Sequence, residues 1–165
     1  MEFDHLDMVI LHHLANNARK SHVELADSVG LSTTAIARRQ KALEDAGAIK
    51  AYHAVLDTHL FGYTTTVLVR IALDSQCDEA LKSFEAGVAT CPSITRCFLM
   101  SGTDDYLAIV LAKDIQDFER IHRTQLSRLP RVARIQSSFA IREIVDRPVP
   151  PAIFESVARS RTKRR

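Results

Sequence analysis

The feature that most limits the possible folds is a change in the spacing of apolar residues near Gly62. Before it, Leu6, Ile10 and Leu14 recur every four residues, which places them on one face of a helix. After it, residues 67–73 alternate between the two faces of a predicted strand. The sequence therefore predicts a helical unit followed by a mixed one, and its 165 residues suffice for two small domains.

The first fifty residues are predicted to form three helices. Ser21 and Glu24 match the Ser-x-x-Glu pattern of a capping box, so a second helix begins there and ends at Gly30. Ser32 can cap a third helix, which ends at Gly47. The second and third helices are joined by the short turn at Gly30-Leu31, and such a pair is typical of a helix-turn-helix.

The third predicted helix carries a local positive charge, because it contains Arg38, Arg39 and Lys41 and no acidic residue lies between Gly30 and Glu44. In a helix-turn-helix, the N-terminal residues of the second helix face base edges in the major groove. Hydroxyls can contact phosphates or bases, and alanine can pack against a thymine methyl. We therefore predict DNA contacts from Ser32, Thr33, Thr34, Ala35, Ala37, Arg38, Arg39, Lys41 and Lys50. A three-helix interaction module with a solvated basic face remains the alternative.

The second unit alternates strands with helices. Strands are predicted at 64–73, 95–100, 106–112 and 132–145, with helices at 78–88 and from Asp114 to before Pro130. The order β-α-β-β-α-β is that of the ferredoxin-like arrangement, so the fold class is α+β.

The strand at Leu107–Ala112 is apolar at every position, although a sheet with one wet face should alternate. Two helices can cover only one face of a four-stranded sheet, so a second copy of the sheet would cover the other. The sequence therefore predicts a homodimer through this unit. A hydrophobic central strand in a monomer is the alternative.

Other function classes find little support. The apolar runs are shorter than the roughly 20 residues that span a bilayer, and no secretory signal is visible, so we expect no membrane partner and a cytoplasmic protein. The three cysteines form no Cys-x-x-Cys pair and are predicted to be small buried side chains. The seven histidines lack metal-ligand spacing, and the adjacent Asp104 and Asp105 lack a partner base. We predict no enzyme, metal or cofactor.

The C-terminal end is the one strongly basic segment. From Ala152 onward the sequence contains one acidic residue, Glu155, and five basic residues, so this stretch carries a net charge of +4 while the remaining chain carries −2. We expect it to add phosphate affinity that is independent of base sequence.

Two groups of motifs resemble the Lrp/AsnC family of transcription regulators. The resemblance covers residues 3 to 145, and its motifs are Leu6-Asp7, Ile10-Leu11, Val23-Glu24-Leu25-Ala26, Val29-Gly30-Leu31-Ser32, Arg39, Leu43-Glu44, Gly47, Ile49, Ser101-Gly102, Asp105-Tyr106, Leu129-Pro130 and Val132. It implies a winged helix-turn-helix at 1–50, a linker strand and hinge at 51–62, a ferredoxin-like βαββαβ (RAM-type) domain at 63–147, and a Pro-containing basic tail at 148–165.

The resemblance also implies partners. Such proteins bind promoter operators in double-stranded DNA, form dimers that often assemble to octamers, and bind an amino acid or related small molecule between dimers. The implied effector residues here are Met100, Ser101, Gly102, Thr103, Asp104, Asp105, Tyr106, Thr124, Ser137 and Ser138.

The effector loop departs from the family pattern Gly-Asp-x-Asp-Tyr, because Thr103 replaces the first acid and Asp104 fills the variable position. Gly102 lets backbone amides approach a carboxylate, and an aspartate could accept from an ammonium group. Alternatively, Gly102 and Asp105 only shape the turn. An architectural DNA-binding protein without an effector is the alternative function.

Overall fold

The computed structural model describes residues 3–155, and the chain divides into two compact units. The first unit extends to Val55 and takes in the chain again from Val145, while the second runs from Leu56 to Ile144. Residues 145–155, most of which were predicted to belong to a separate tail at 148–165, therefore group with the helical unit. The last ten residues of the basic stretch lie outside the described residues.

The first unit contains the three predicted helices, α1 (His5–Asn16), α2 (His22–Val29) and α3 (Thr33–Asp45). The capping box predicted at Ser21 and Glu24 is confirmed, and a second one at Asp4 and Asp7 begins α1. Their shared core consists of Ile10, Leu14, Leu25, Ala26, Ile36 and Leu43.

The segment after α3 differs from the prediction. Residues 50–57 form neither helix nor strand, and a short 3₁₀ helix follows at Thr58–Phe61. In the described chain, the expected linker strand and wing are therefore replaced by irregular backbone.

The second unit has the predicted β-α-β-β-α-β order. Its strands are β1 (Thr65–Leu73), β2 (Ile94–Leu99), β3 (Tyr106–Ala112) and β4 (Val132–Phe139), and its helices are α4 (Asp78–Ala89) and α5 (Ile115–Thr124). The antiparallel sheet has the order β2-β3-β1-β4. The last strand ends at Phe139, six residues earlier than predicted.

The two faces of this sheet differ in burial. On the helix side, Val67, Val69 and Val110 are fully buried together with Phe84 of α4 and Ile121 of α5. On the other side, the alternate residues Leu107, Ile109 and Leu111 of β3 are only half-buried. The apolar positions that broke the alternation therefore lie on the open face.

The prediction that the cysteines are buried holds for two of the three, and one glycine has a role that was not predicted. Cys91 is buried and Cys97 half-buried, as expected of small apolar side chains, but Cys77 is exposed because it precedes α4 at the surface. Gly87 has a packing role: a Cβ atom there would lie 2.8 Å from Cδ of Pro130.

Candidate functional site

The N-terminal end of α3 presents its polar side chains to solvent. Ser32, Thr33 and Thr34 are exposed, and Ala35 and Ala37 are half-buried. The hydroxyl oxygen of Ser32 accepts from the backbone N–H of Ala35 at 3.2 Å, so it caps the helix. A hydroxyl that accepts from the backbone still has its own proton to donate.

The cations of α3 are in two different situations. Arg38 is exposed and forms no salt bridge with any residue between 3 and 155, and Lys50 is exposed as well. Lys41 pairs with Asp45 at 3.2 Å, but both side chains are mostly exposed. Such a surface pair contributes little, about 0.3–0.5 kcal/mol, so Lys41 can exchange this partner for a phosphate.

Arg39, by contrast, is engaged inside the unit. Its Nη1 donates to Oδ2 of Asp4 at 2.8 Å and to Oδ1 of Asp7 at 2.7 Å, and only 25% of the side chain is exposed. The hydrogen bond to Asp7, followed by the one to Asp4, raises the pKa of Arg39 above its usual range. Arg39 therefore joins α3 to the first turn of α1, which gives it a structural role that the sequence did not indicate.

A second contact that sequence reasoning missed follows α3. The Tyr52 hydroxyl donates to Oε1 of Glu44 at 2.7 Å and accepts from Nε2 of Gln40 at 2.9 Å. Burial, with the neighbouring Glu44 carboxylate, raises the pKa of Tyr52 to about 12. This contact fixes the irregular segment that contains Lys50 against the end of α3.

In the second unit, the turn between β2 and β3 forms one side of a cavity of about 210 Å³. Six of the seven predicted loop residues line it, namely Met100, Ser101, Gly102, Thr103, Asp104 and Tyr106. Two residues of the sheet that were not predicted, Arg70 and Leu107, complete the lining. The φ of Gly102 is 143°, a conformation that side chains rarely adopt, so glycine is required at this point of the turn.

Asp105 is the predicted loop residue that does not line the cavity. It is buried, and its carboxylate accepts from the backbone N–H of Leu73 at 2.7 Å and from Nε2 of Gln76 at 2.7 Å. Both oxygens are thus used to hold the loop against β1, which matches the alternative that Asp105 shapes the turn.

The polar groups of the cavity are partly paired. Asp104 accepts from Nη2 of Arg134 at 3.0 Å. The Tyr106 hydroxyl donates to Oε1 of Glu85 at 2.9 Å, and burial together with this carboxylate raises the pKa of Tyr106. Arg70 is exposed and forms no salt bridge within the described chain. It contributes an unneutralised cation to the cavity.

The remaining predicted effector residues lie elsewhere. Thr124 ends α5 and donates its hydroxyl to the carbonyl of Arg120 at 2.8 Å. Ser137 and Ser138 pair with Val69 and Leu68 of β1, so they are neighbours in β4 and face opposite sides of the sheet. None of the three lines the cavity of this chain.

Two family models match this chain. The AsnC-type helix-turn-helix domain matches residues 3–44, and the Lrp/AsnC ligand binding domain matches residues 66–150. The chain belongs to the Lrp/AsnC family of transcriptional regulators. The helix-turn-helix match contains nearly all of the three helices of the first unit, and the ligand-binding match contains nearly the whole sheet with its β2–β3 loop.

Relatives of this Lrp/AsnC protein align along nearly all of its length. It is 35% identical to the Bkd operon transcriptional regulator of Pseudomonas aeruginosa over 91% of this chain and 98% of that protein. It is 32% identical to the leucine-responsive regulatory protein of Rhizobium meliloti, over 88% and 94%. A transcriptional regulator of Neisseria meningitidis, solved in complex with L-Met, superposes with a TM-score of 0.85 at 31% identity, over 91% and 97%.

Residues 3–155 of this family member contain neither a candidate metal cluster nor a candidate membrane-spanning helix. No cluster of three or more His, Cys, Asp or Glu side chains there could hold a metal ion. Within the same range, no helix is both long enough and apolar enough to cross a membrane.

Proposed function

We propose that this protein is a transcriptional regulator that binds promoter operators through α3, assembles through the sheet of its second unit, and responds to an amino acid or related small molecule at the β2–β3 loop. One observation carries the proposal: α3 presents the exposed hydroxyls of Thr33 and Thr34 and an exposed Arg38 that forms no salt bridge with the described residues, and no acidic residue lies between Gly30 and Glu44 in the sequence. Promoter DNA as the ligand implies that the protein works in the cytoplasm.

In this proposal some of the exposed residues contact base edges and others contact phosphates. Thr33 and Thr34 lie in the first turn of α3, where a recognition helix meets base edges. Arg38, Lys41 and Lys50 are exposed cations that can neutralise phosphates, which sets affinity and register but not base preference. Arg39 serves as a positioning residue, because its guanidinium already binds two carboxylates.

The assembly part rests on the open face of the sheet. Leu107, Ile109 and Leu111 project from the central strand β3 on that face, and Leu68 of β1 is paired with Ile109. Complete burial of an exposed side chain of this kind contributes about 1.5–3 kcal/mol, and these half-buried side chains would each gain part of that, so a second copy packed there is the favoured cover. A dimer formed in this way would be the building block of the octamers that the family resemblance implies.

The effector part rests on the charges at the cavity. A free amino acid has a carboxylate and an ammonium group. Arg70, which has no salt bridge within the described chain, would bind the carboxylate, and Asp104, which also pairs with Arg134, would bind the ammonium group. A volume of about 210 Å³ is below the ~300–1,000 Å³ typical of drug-sized ligands, which favours a molecule of amino-acid size. Among the relatives, the Neisseria meningitidis regulator was solved with L-Met and the Rhizobium meliloti protein is named leucine-responsive.

The test combines three measurements. Footprinting on the DNA upstream of the gene for this protein should reveal a protected operator, and a thermal-shift screen of the amino acids should find one that stabilises the protein. Arg70→Gln should weaken binding of that amino acid at least tenfold, while the exposed Arg123→Gln serves as the charge-matched control. Sedimentation should show that Ile109→Lys lowers the assembly size.

The outcomes separate this function from the alternatives. A protein that binds DNA but whose stability, assembly and operator affinity respond to no amino acid would be an architectural DNA-binding protein. A protein that protects no DNA at all would contradict the proposal. Catalytic conversion of an amino acid by the protein would instead support an enzymatic function.

A further inference from the structure

The sheet of the second unit places two arginines close together near the β2–β3 loop. Arg70 of β1 is paired with Gln136 of β4, and Ala72, two residues farther along β1, is paired with Arg134. Residues two apart on a strand share a face, so Arg70 and Arg134 are diagonal neighbours on the open face of the sheet. Such neighbours lie about 7–8 Å apart, which is within reach of long side chains.

Three charged side chains meet at the cavity beside this loop. Arg70 lines the cavity and forms no salt bridge within the described chain, whereas Asp104, which also lines it, accepts from Nη2 of Arg134 at 3.0 Å. The Asp104 side chain is only 16% exposed, but that of Arg134 is 55% exposed and therefore accessible to a ligand. Two cations and one anion give this cluster a net charge of +1.

Other acids near the loop are engaged in different contacts. Asp105 and Glu85 do not line the cavity, and their carboxylates accept hydrogen bonds from neutral donors of the second unit. Thr103 does line the cavity but is uncharged, at the position where the family pattern has an acid. Among the described residues, Asp104 is thus the one acid that lines the cavity.

The net charge of the cluster discriminates between classes of amino acid. A ligand with an apolar side chain is a zwitterion, so its binding leaves the charge of +1 uncompensated. A ligand with a second carboxylate has a net charge of −1 and neutralises the cluster. Guanidinium and carboxylate groups also match in geometry, and the hydroxyls of Ser101 and Thr103 at the cavity can donate to the same carboxylate.

We propose that the effector of this protein is an acidic amino acid, aspartate or glutamate, whose side-chain carboxylate is bound by Arg134. This inference rests on the proposed function, because it takes the cavity as the effector site, with Arg70 on the α-carboxylate and Asp104 on the ammonium group. A carboxylate has about four acceptor positions and a guanidinium has five N–H donors. Asp104 can therefore bind the ammonium group while Arg134 directs further N–H groups to the ligand.

The test is titration calorimetry of the full-length protein with L-glutamate, L-aspartate and their amides L-glutamine and L-asparagine, which have similar shapes but no side-chain charge. L-Leucine serves as the apolar zwitterion, and glutarate serves as a dicarboxylate without an ammonium group. One of the two acidic amino acids should bind about tenfold or more tightly than its amide, leucine and glutarate, since a hydrogen bond between charged groups is worth at least that factor.

Variants at position 134 test the residue that reads the side chain. Arg134→Gln should reduce the preference for the acidic amino acid over its amide to within about twofold, whereas Arg134→Lys keeps the charge and should retain a preference of about threefold or more. Arg70→Gln should weaken the acid and its amide alike, because both have the α-carboxylate. The exposed Arg123→Gln is the charge-matched control and should bind like the parent protein. Thermal unfolding of each variant checks that it is folded.

A second pair of variants tests the charge of the cavity without removing a cation. Thr103 is exposed, so its replacement leaves the core intact. Thr103→Asp should weaken the acidic amino acid by about tenfold while its amide changes by less than about threefold, because the added carboxylate repels the ligand's own. Thr103→Asn, which is similar in size and uncharged, should keep the parental preference.

Several results would overturn the inference. Equal binding of the acidic amino acids and their amides, tighter binding of leucine, or binding of glutarate as tight as that of glutamate would each assign the cavity to another ligand class. An unchanged preference in Arg134→Gln would show that this residue does not read the side chain. If a different amino acid bound and Arg70→Gln weakened it, the proposed function would stand and this inference alone would fail. If no amino acid bound the parent protein, the effector part of the proposed function would fail as well.

Discussion

Two adjacent arginines of α3 should behave in opposite ways when each is replaced by alanine. Arg39→Ala removes the guanidinium that bonds Asp4 and Asp7 at the start of α1. Arg38→Ala removes an exposed cation that forms no salt bridge with the described residues. The first change should therefore destabilise the unit, and the second should weaken DNA binding without unfolding it.

The magnitude for Arg39 follows from the exposure of its partners. The Asp7 side chain is only 18% exposed, and a hydrogen bond between charged groups in such a setting contributes about 1.5–3 kcal/mol. Asp4 is 53% exposed, so its ion pair adds about 0.2–1 kcal/mol. Taking the lower values, the destabilisation is about 2 kcal/mol, which corresponds to roughly 8–16 °C in a unit of this size.

The pH dependence gives a second measure of the same ion pair. The backbone N–H of Asp7, and after it Arg39, hold the pKa of Asp4 below its ordinary value of 3.8. A carboxyl whose pKa is depressed by folding adds stability that is complete above its unfolded pKa and is lost as the pH falls through its folded pKa. The parent protein should therefore lose stability below about pH 4 more steeply than Arg39→Ala.

Calorimetric or circular-dichroism melts of the two variants, with operator binding by each, provide the assay. Arg38→Ala should melt within about 0.5 kcal/mol of the parent. If Arg39→Ala melts like the parent and loses DNA binding as fully as Arg38→Ala, the assignment of Arg39 to positioning is refuted.

Two further changes test the packing of the second unit. Gly87→Ala should lower the free energy of unfolding by about 1–3 kcal/mol, because its Cβ would lie 2.8 Å from Pro130 and overpacking outweighs the gain in helix propensity; denaturant titration that shows equal or greater stability would contradict this. Asp105→Ala should cost about 2–3 kcal/mol by leaving the N–H of Leu73 without its acceptor. Hydrogen exchange at Leu73 should then accelerate, whereas Thr103→Ala should leave that amide protected.

Local patterns predicted the elements well because their causes are local. The capping box at Ser21 and Glu24 joins residues three apart, and both partners of each hydrogen bond are visible in the sequence. The same holds for the alternation in β1, since each side chain of a strand faces away from its neighbours. The unbroken apolar run of β3 likewise indicated a face that the helices leave open.

Partners far apart in the chain could not be predicted. Arg39 finds its acids 32 and 35 residues earlier, and Asp105 finds the N–H of Leu73 32 residues earlier. Their roles depend on which helices and strands lie side by side, and a basic or acidic side chain carries no local mark of its partner. Arg70 escaped notice for the same reason, because its position on a strand does not show which loop it faces.

The packing of residues 145–155 against α1 was not predicted, for a different reason. Phe154 lies among prolines and basic residues, so it belongs to no apolar repeat and carries no periodic signal. Its partner His12, whose ring meets that of Phe154 edge to face, is on a helix whose apolar face was already assigned to the core. Only the three-dimensional arrangement shows that α1 has a second packing partner.

The most direct test of the account is the base preference of Thr34→Ala, measured by selecting bound sequences from a library of random duplexes. Thr34 is exposed in the first turn of α3, so removal of its hydroxyl should change the preferred bases at the contacted positions while the overall salt dependence stays the same. Selection of the same sequences with the same affinity by Thr34→Ala and by the parent protein would show that this face of α3 does not contact base edges.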